Sequence, residues 1–147
     1  MLTREQFLPH EMRIVAALRM QGASDEQVIV RVKSENLFQY PTERMVANRA
    51  TVCLRRLDAM VPTDAACAVR GIDSNIAVEA VSSLTRLMAS GTPTQADQAI
   101  FYSMICRYDI VRELVLVEVG ERLQNFDYAF TAVDLNAFMT RFTTEYP

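Results

Sequence analysis

In the stretch "TERMVANRATVCLRRL", Arg44, Asn48, Thr51 and Arg55 fall at i, i+4, i+7 and i+11. On a helix that turns ~100° per residue, these four positions form one line. Guanidinium, carboxamide and hydroxyl groups so arranged are donors that hold phosphate oxygens and reach base edges in a duplex major groove. A solvated helix face has the same composition, and so does a surface that meets an acidic protein partner. The residue types leave all three readings open.

Chemistry of other kinds finds little support. His10 is the only histidine and lies beside Pro9 at an expected helix start. A nucleophile–histidine apparatus would depend wholly on it. Cys53, Cys67 and Cys106 form no CxxC pair and sit among apolar neighbours in "VCLRRL", "AACAV" and "MICRY". They read as buried small hydrophobes in a reducing compartment, and metal ligation would need partners at ligand spacing. Nothing resembles a zinc finger, a P-loop or an RNP motif. The expectation is a protein that is not an enzyme.

Arg49 and Arg56 behave differently from the line of four. They fall inside the apolar arc of the same helix, made by Met45, Val46, Val52, Cys53, Leu57 and Met60, where an unpaired charge is costly. Glu11 shares the face of Phe7, Ile14 and Leu18 on an earlier helix. Opposite charges on two apolar faces suggest a buried or half-buried ion pair, so Arg49 and Arg56 are read as architectural.

The elements that must position these residues are helical nearly throughout. Pro9 suits a first helical turn, and Gly22 ends the helix that follows. Ser24 with Gln27 and Thr92 with Gln95 are capping boxes, and "TAVD" at 131–134 opens a last helix. A helix from Thr42 to about Met60 carries the arginine line. Further helices are expected near 63–70, 74–90 and from Pro93 onward. Asp109 is the expected cap of "IVRELVLVEVGERL". The valine runs at 28–32 and 115–119 mimic strands, yet caps and the absence of pairing partners favour helix.

Half of the 147 residues are hydrophobic and 22% are charged, so the chain should bury a sizeable core as one compact all-α domain. No apolar run reaches the ~18 residues of a membrane span, and "MLTREQFLPH" lacks the apolar region of a signal peptide. The expected location is the cytoplasm. The net charge of −3 is uneven. Residues 1–60 hold nine basic against seven acidic side chains, and residues 61–147 hold six against eleven. The sequence therefore divides into a basic part, 1–60, and an acidic helical-bundle part, 61–147. Within the first, the helix from Ser24 and the one from Thr42 form a helix–turn–helix-like pair. Their connection, Glu35 to Thr42, is longer than that of the standard motif, and its Leu37, Phe38 and Tyr40 should be packed.

The stretch "HEMRIVAALRMQGASDEQVIVRVKSENLFQYPTERMVANRATVCLRRL" resembles the N-terminal signature of the BrxA family. A Glu-led helix, a Gly-x-Ser start, an "eNLfq" loop and an Arg-rich helix ending "RRL" occur there in this order. "QAIFYSMICRYDIVRELVLVEVGERL" and "FTAVDLNAFMTRF" are similar to that family's second half. Leu114 stands where the family often has an aromatic residue, and family members usually continue with a further helical segment beyond "TTEYP". The resemblance implies an all-α, NusB-like helical bundle and a role in BREX bacteriophage defence. It also implies duplex DNA binding without catalysis or cofactor, and other defence-system proteins as partners. Carried onto this chain, the Arg-rich helix supplies Arg44, Asn48, Thr51 and Arg55, with Arg31 and Lys33 as flanking phosphate contacts. Two alternatives stay open: an assembly protein that binds partners through its acidic half, and NusB-like RNA binding.

Overall fold

The computed structural model describes residues 6–145. Its elements are Pro9–Met20 (α1), Asp25–Ser34 (α2), Glu43–Met60 (α3), Asp64–Arg70 (α4), Ser74–Ser90 (α5) and Pro93–Arg107 (α6). Asp109–Arg112 (α7), a π-helical segment Glu113–Val119, Gly120–Gln124 (α8) and Ala132–Glu145 (α9) follow. No strand occurs among the described residues, so the fold is all-α, and both valine runs are helical.

Local signals explain most boundaries. The Ser24 hydroxyl accepts from Gln27 N at 3.3 Å while Gln27 Oε1 accepts from Ser24 N at 2.9 Å. Thr92 and Gln95 exchange the same two bonds at 3.3 and 3.1 Å. Thr131 and Asp134 do likewise, at 3.4 and 2.9 Å. Each box satisfies donors that the first turn of a helix leaves open. Gly22 follows α1 at φ +86°, a conformation that side chains with a Cβ rarely adopt.

One expected cap is corrected. Asp109 is the first residue of α7 rather than its cap, and its carboxylate pairs with Arg112. The preceding residue, Tyr108, makes no side-chain cap. The single helix expected over 110–123 is instead α7, the π-helical segment and α8 in succession.

The described chain forms two compact units, residues 6–107 and residues 108–145. The division falls between α6 and α7, and Met60–Val61 lies inside the first unit. There α1 packs on α5, α3 and α6, and α3 also packs on α2 and α6. Met12, Val15, Val28, Val32, Val46 and Ile100 are almost wholly removed from solvent. Each such side chain contributes about 1.5–3 kcal/mol through burial. Arg19 ties three helices at one point. Its Nη2 lies 2.7 Å from Asp25 Oδ1 on α2 and 2.5 Å from Asp58 Oδ1 on α3.

The apolar arc of α3 is corrected in detail. Met45 is 42% exposed and Val52 is half-buried, whereas Ala50 and Leu54 are buried. The buried arc is rotated about 40° toward Ala50 and Leu54, a shift of under half a residue step on a ~100° wheel. Helices α1, α2 and α6 all press on α3, so the buried arc is set by three neighbours rather than by hydrophobicity alone.

In the second unit Arg122 is the hub. Its guanidinium lies 3.0 Å from Asp127 and 3.1 Å from Asp134, reaches Glu118 at 3.5 Å, and covers the Phe130 ring. Those contacts join the connection after α8 to the start of α9.

Candidate nucleic-acid interface

The orientation of α3 is prepared by the eight residues before it. Asn36 takes a left-handed conformation, φ 44°, which its short polar side chain tolerates. Its Oδ1 accepts from Tyr40 N and its Nδ2 donates to Tyr40 O, both at 3.1 Å, which closes the connection into a ring. Phe38 is buried and meets Tyr40 edge to face, with centroids 5.9 Å apart. Tyr40 is half-buried, and its hydroxyl donates to Glu11 on α1. Pro41 follows, and the Thr42 hydroxyl caps α3 by accepting from Met45 N at 3.3 Å. The packing expected of Leu37, Phe38 and Tyr40 is present.

From that start, α3 carries its arginine line into solvent. Arg44, Asn48 and Arg55 are exposed, on the side opposite buried Val46, Ala50, Cys53 and Leu57. Among the described residues no hydrogen bond or ion pair engages these three side chains. Arg44 and Arg55 are ~16 Å apart along the axis at 1.5 Å per residue. Thr51 is half-buried, and its Oγ1 donates to Ala47 O at 2.9 Å, so its proton is already committed. It is the weakest member of the line.

The two flanking cations are engaged. Lys33 Nζ lies 3.7 Å from Glu43 Oε2, bringing the end of α2 to the start of α3 beside Arg44. Arg31 donates to Glu35 Oε1 at 3.4 Å and to Gln21 Oε1 at 3.2 Å, which turns it toward the end of α1. Exposed pairs of this kind contribute ~0–1 kcal/mol, little enough to be exchanged for a phosphate.

The architectural arginines depart from the expected pairing. Arg56 is fully buried and donates to Phe7 O at 2.8 Å and Gln6 O at 2.5 Å, holding the segment before α1. Arg49 is half-buried, and among the described residues no ion pair joins it to Glu11. Glu11 is buried and takes its hydrogen bond from Tyr40. The phenol supplies the donor that the buried carboxylate needs, so Glu11 is satisfied without a direct salt bridge to Arg49. The charges still gather in one place, because Arg56, Glu11 and Arg49 all act on Cys53. Burial pushes the Cys53 thiol up to about 12, so it stays protonated and unreactive at neutral pH. Desolvation, with the bond to Glu11, pushes the Tyr40 phenol up to about 12.

Sequence reasoning missed Tyr40 as the partner of Glu11. The signal was weak, since no spacing rule connects a loop tyrosine to a helix far behind it. It also missed Glu43, whose place beside Arg44 was visible but whose approach to Lys33 needs the folded connection. His10 is exposed in the first turn of α1. No group of three or more metal-ligating side chains is found among the described residues. No described helix is long and apolar enough to cross a membrane. The α3 line can bind anions and hydrogen-bond acceptors, and it holds no group poised for proton transfer or nucleophilic attack.

A family model described as BrxA matches residues 1–147. No curated protein and no solved structure matches the chain.

Proposed function

The chain belongs to the BrxA family, and from that premise we propose that it binds duplex DNA through α3. Family membership points to a protein of BREX bacteriophage defence. In the proposed role the protein is a non-enzymatic cytoplasmic component of that system. Arg44 and Arg55 hold phosphates, Asn48 reaches toward base edges between them, and Thr51 packs the middle of the contact. Lys33 and Arg31 extend the contact once their carboxylate partners yield.

The observation that carries this reading is the exposed line Arg44–Asn48–Arg55. Its donors are free of partners among the described residues, and it stands on a helix anchored from behind by a buried core. Positive side chains at fixed spacing on a rigid element supply the phosphate contacts that dominate DNA affinity. The helix–turn–helix likeness of α2 and α3 adds less, because their connection is long.

Fluorescence anisotropy with a labelled random-sequence duplex at two salt concentrations tests the proposal. Binding that weakens steeply with salt supports it, and the absence of binding at low salt rejects it. Competition by structured RNA separates this reading from RNA binding, for which a fold likeness alone would be no warrant. A second reading, assembly with other defence proteins, draws on the acidic half, 61–147, where eleven carboxylates outnumber six arginines.

A further inference from the structure

Residues 108–145 bury little of their own apolar surface. Among their described apolar side chains only Val111 and Phe138 are buried, while Leu116, Leu123, Phe126, Tyr128 and Val133 are each more than half exposed. Exposed apolar groups mark an interaction surface where they adjoin one another. The same residues are acidic overall.

Apart from those side chains, a groove of about 150 Å³ between the π-helical segment and α9 sets carboxylates beside an apolar surface. Val117, Phe138 and Phe142 supply its apolar surface, and the Phe138 and Phe142 rings lie 5.9 Å apart. Glu113, Glu118 and Glu145 supply the carboxylates. Glu118 is already compensated, by Arg141 at 2.7 Å and by Arg122 at 3.5 Å. Glu113 and Glu145 have no counter-charge among the described residues. π-Helical turns are rare and occur frequently at functional sites.

We propose that this groove docks a basic amphipathic segment of another protein. An arginine or lysine of that segment lays its alkyl stem along exposed Val117, beside the Phe138 and Phe142 rings, and brings its charge to Glu113 and Glu145. Leu135 and Met139, each more than a third exposed on α9, extend the apolar contact. Charge complementarity selects this occupant. Nucleic acid is repelled by the uncompensated carboxylates. A second copy docking groove to groove would set the same carboxylates against each other, because an isologous contact pairs a surface with itself.

The test uses the full chain, isotope-labelled, and an acetylated and amidated helical peptide with Arg and Leu at i, i+4 spacing. A matched peptide with Glu in place of Arg is the control. The Arg peptide should perturb the amides of Val117, Phe138, Phe142 and Glu145 in a saturable way at physiological salt, and the Glu peptide should not. Glu113→Gln/Glu145→Gln should weaken binding about fivefold, as expected for two partly exposed charge pairs, with circular dichroism and DNA binding unchanged. Affinity retained in the double variant, or perturbations that map elsewhere, overturns the proposal. Self-association by sedimentation that disappears in the same variant also overturns it, by giving the groove to a second copy. DNA binding measured alongside keeps failure here distinct from failure of the α3 reading.

Discussion

The hydroxyl of Tyr40 donates a hydrogen bond to the carboxylate of Glu11, joining the connection before α3 to α1 across 29 positions of sequence. Glu11 is buried, so its charge needs that donor, and the bond in turn fixes where α3 begins. Tyr40→Phe should destabilise the protein by about 1.5–3 kcal/mol, the range for a hydrogen bond to a charged group. Glu11→Gln, which keeps an acceptor, should cost less than Glu11→Ala. Urea unfolding of the three variants checks this, and equal losses for Gln and Ala would remove the hydrogen bond from the explanation.

Alkaline pH should act through the same place. The folded chain holds the Tyr40 phenol protonated up to about 12, against 10.0 for the free group. The Cys53 thiol is raised from 9.0 to about 12. The unfolded chain therefore loses these protons first. Their stabilising contribution is complete below the lower values and is lost as pH climbs toward the folded ones. Unfolding midpoints followed from neutral pH into this range should fall, and should fall less in Tyr40→Phe. A tyrosinate absorbance titration should show Tyr40 and Tyr102, the latter held up by its hydrogen bond with Cys106, ionising late, and the late amplitude should shrink by one phenol in Tyr40→Phe.

Acid should act elsewhere, on the start of α9. Backbone and side-chain hydrogen bonds from Thr131, with the Arg122 guanidinium behind them, hold the Asp134 carboxyl below the ordinary carboxylate value. The sign is opposite to that for Tyr40. The contribution is complete above the unfolded carboxylate value and is lost as pH falls through the lower folded one. Amide exchange at 132–136 should quicken in that window, and Asp134→Asn should flatten the pH dependence. An unchanged profile in the variant would mean that another carboxylate governs the acid limb.

Within the α3 line, Asn48 and Thr51 should separate. Thr51 donates to Ala47 O, so Thr51→Val removes little that a ligand uses and should change DNA affinity less than twofold, about 0.4 kcal/mol. Asn48 is exposed and uncommitted. Asn48→Ala should weaken binding unevenly across a panel of duplex sequences, by up to ~1–3 kcal/mol on the best site if it contacts an adenine edge. Uniform loss over the panel would make Asn48 a backbone contact.

Helix starts were legible wherever a side chain caps its own neighbours. Ser24, Thr42, Thr92 and Thr131 announce themselves because their partners lie three residues on. Asp109 was misread for the same reason in reverse, since the residue type fitted a cap but the helix begins at Asp109 itself. The π-helical segment left no comparable mark, because an apolar run such as 114–117 is compatible with several backbone periods. The exposed line on α3 was legible from period alone. The partner of Glu11 was not, because which donor meets its carboxylate depends on where the 35–42 connection folds back, and that is a tertiary fact. The groove beside α9 needed the same kind of information.

Whether Arg44 and Arg55 hold DNA phosphates is tested most directly by the salt dependence of binding in Arg44→Ala/Arg55→Ala. Neither side chain is buried, so the double variant should keep the wild-type circular dichroism spectrum and unfolding midpoint. Its affinity should fall on every duplex tested. The slope of log K against log salt should shrink by up to ~0.9 for each phosphate that the variant no longer neutralises. A folded double variant that keeps the wild-type affinity and the wild-type slope would contradict the assignment, and α3 would then be a solvated helix face.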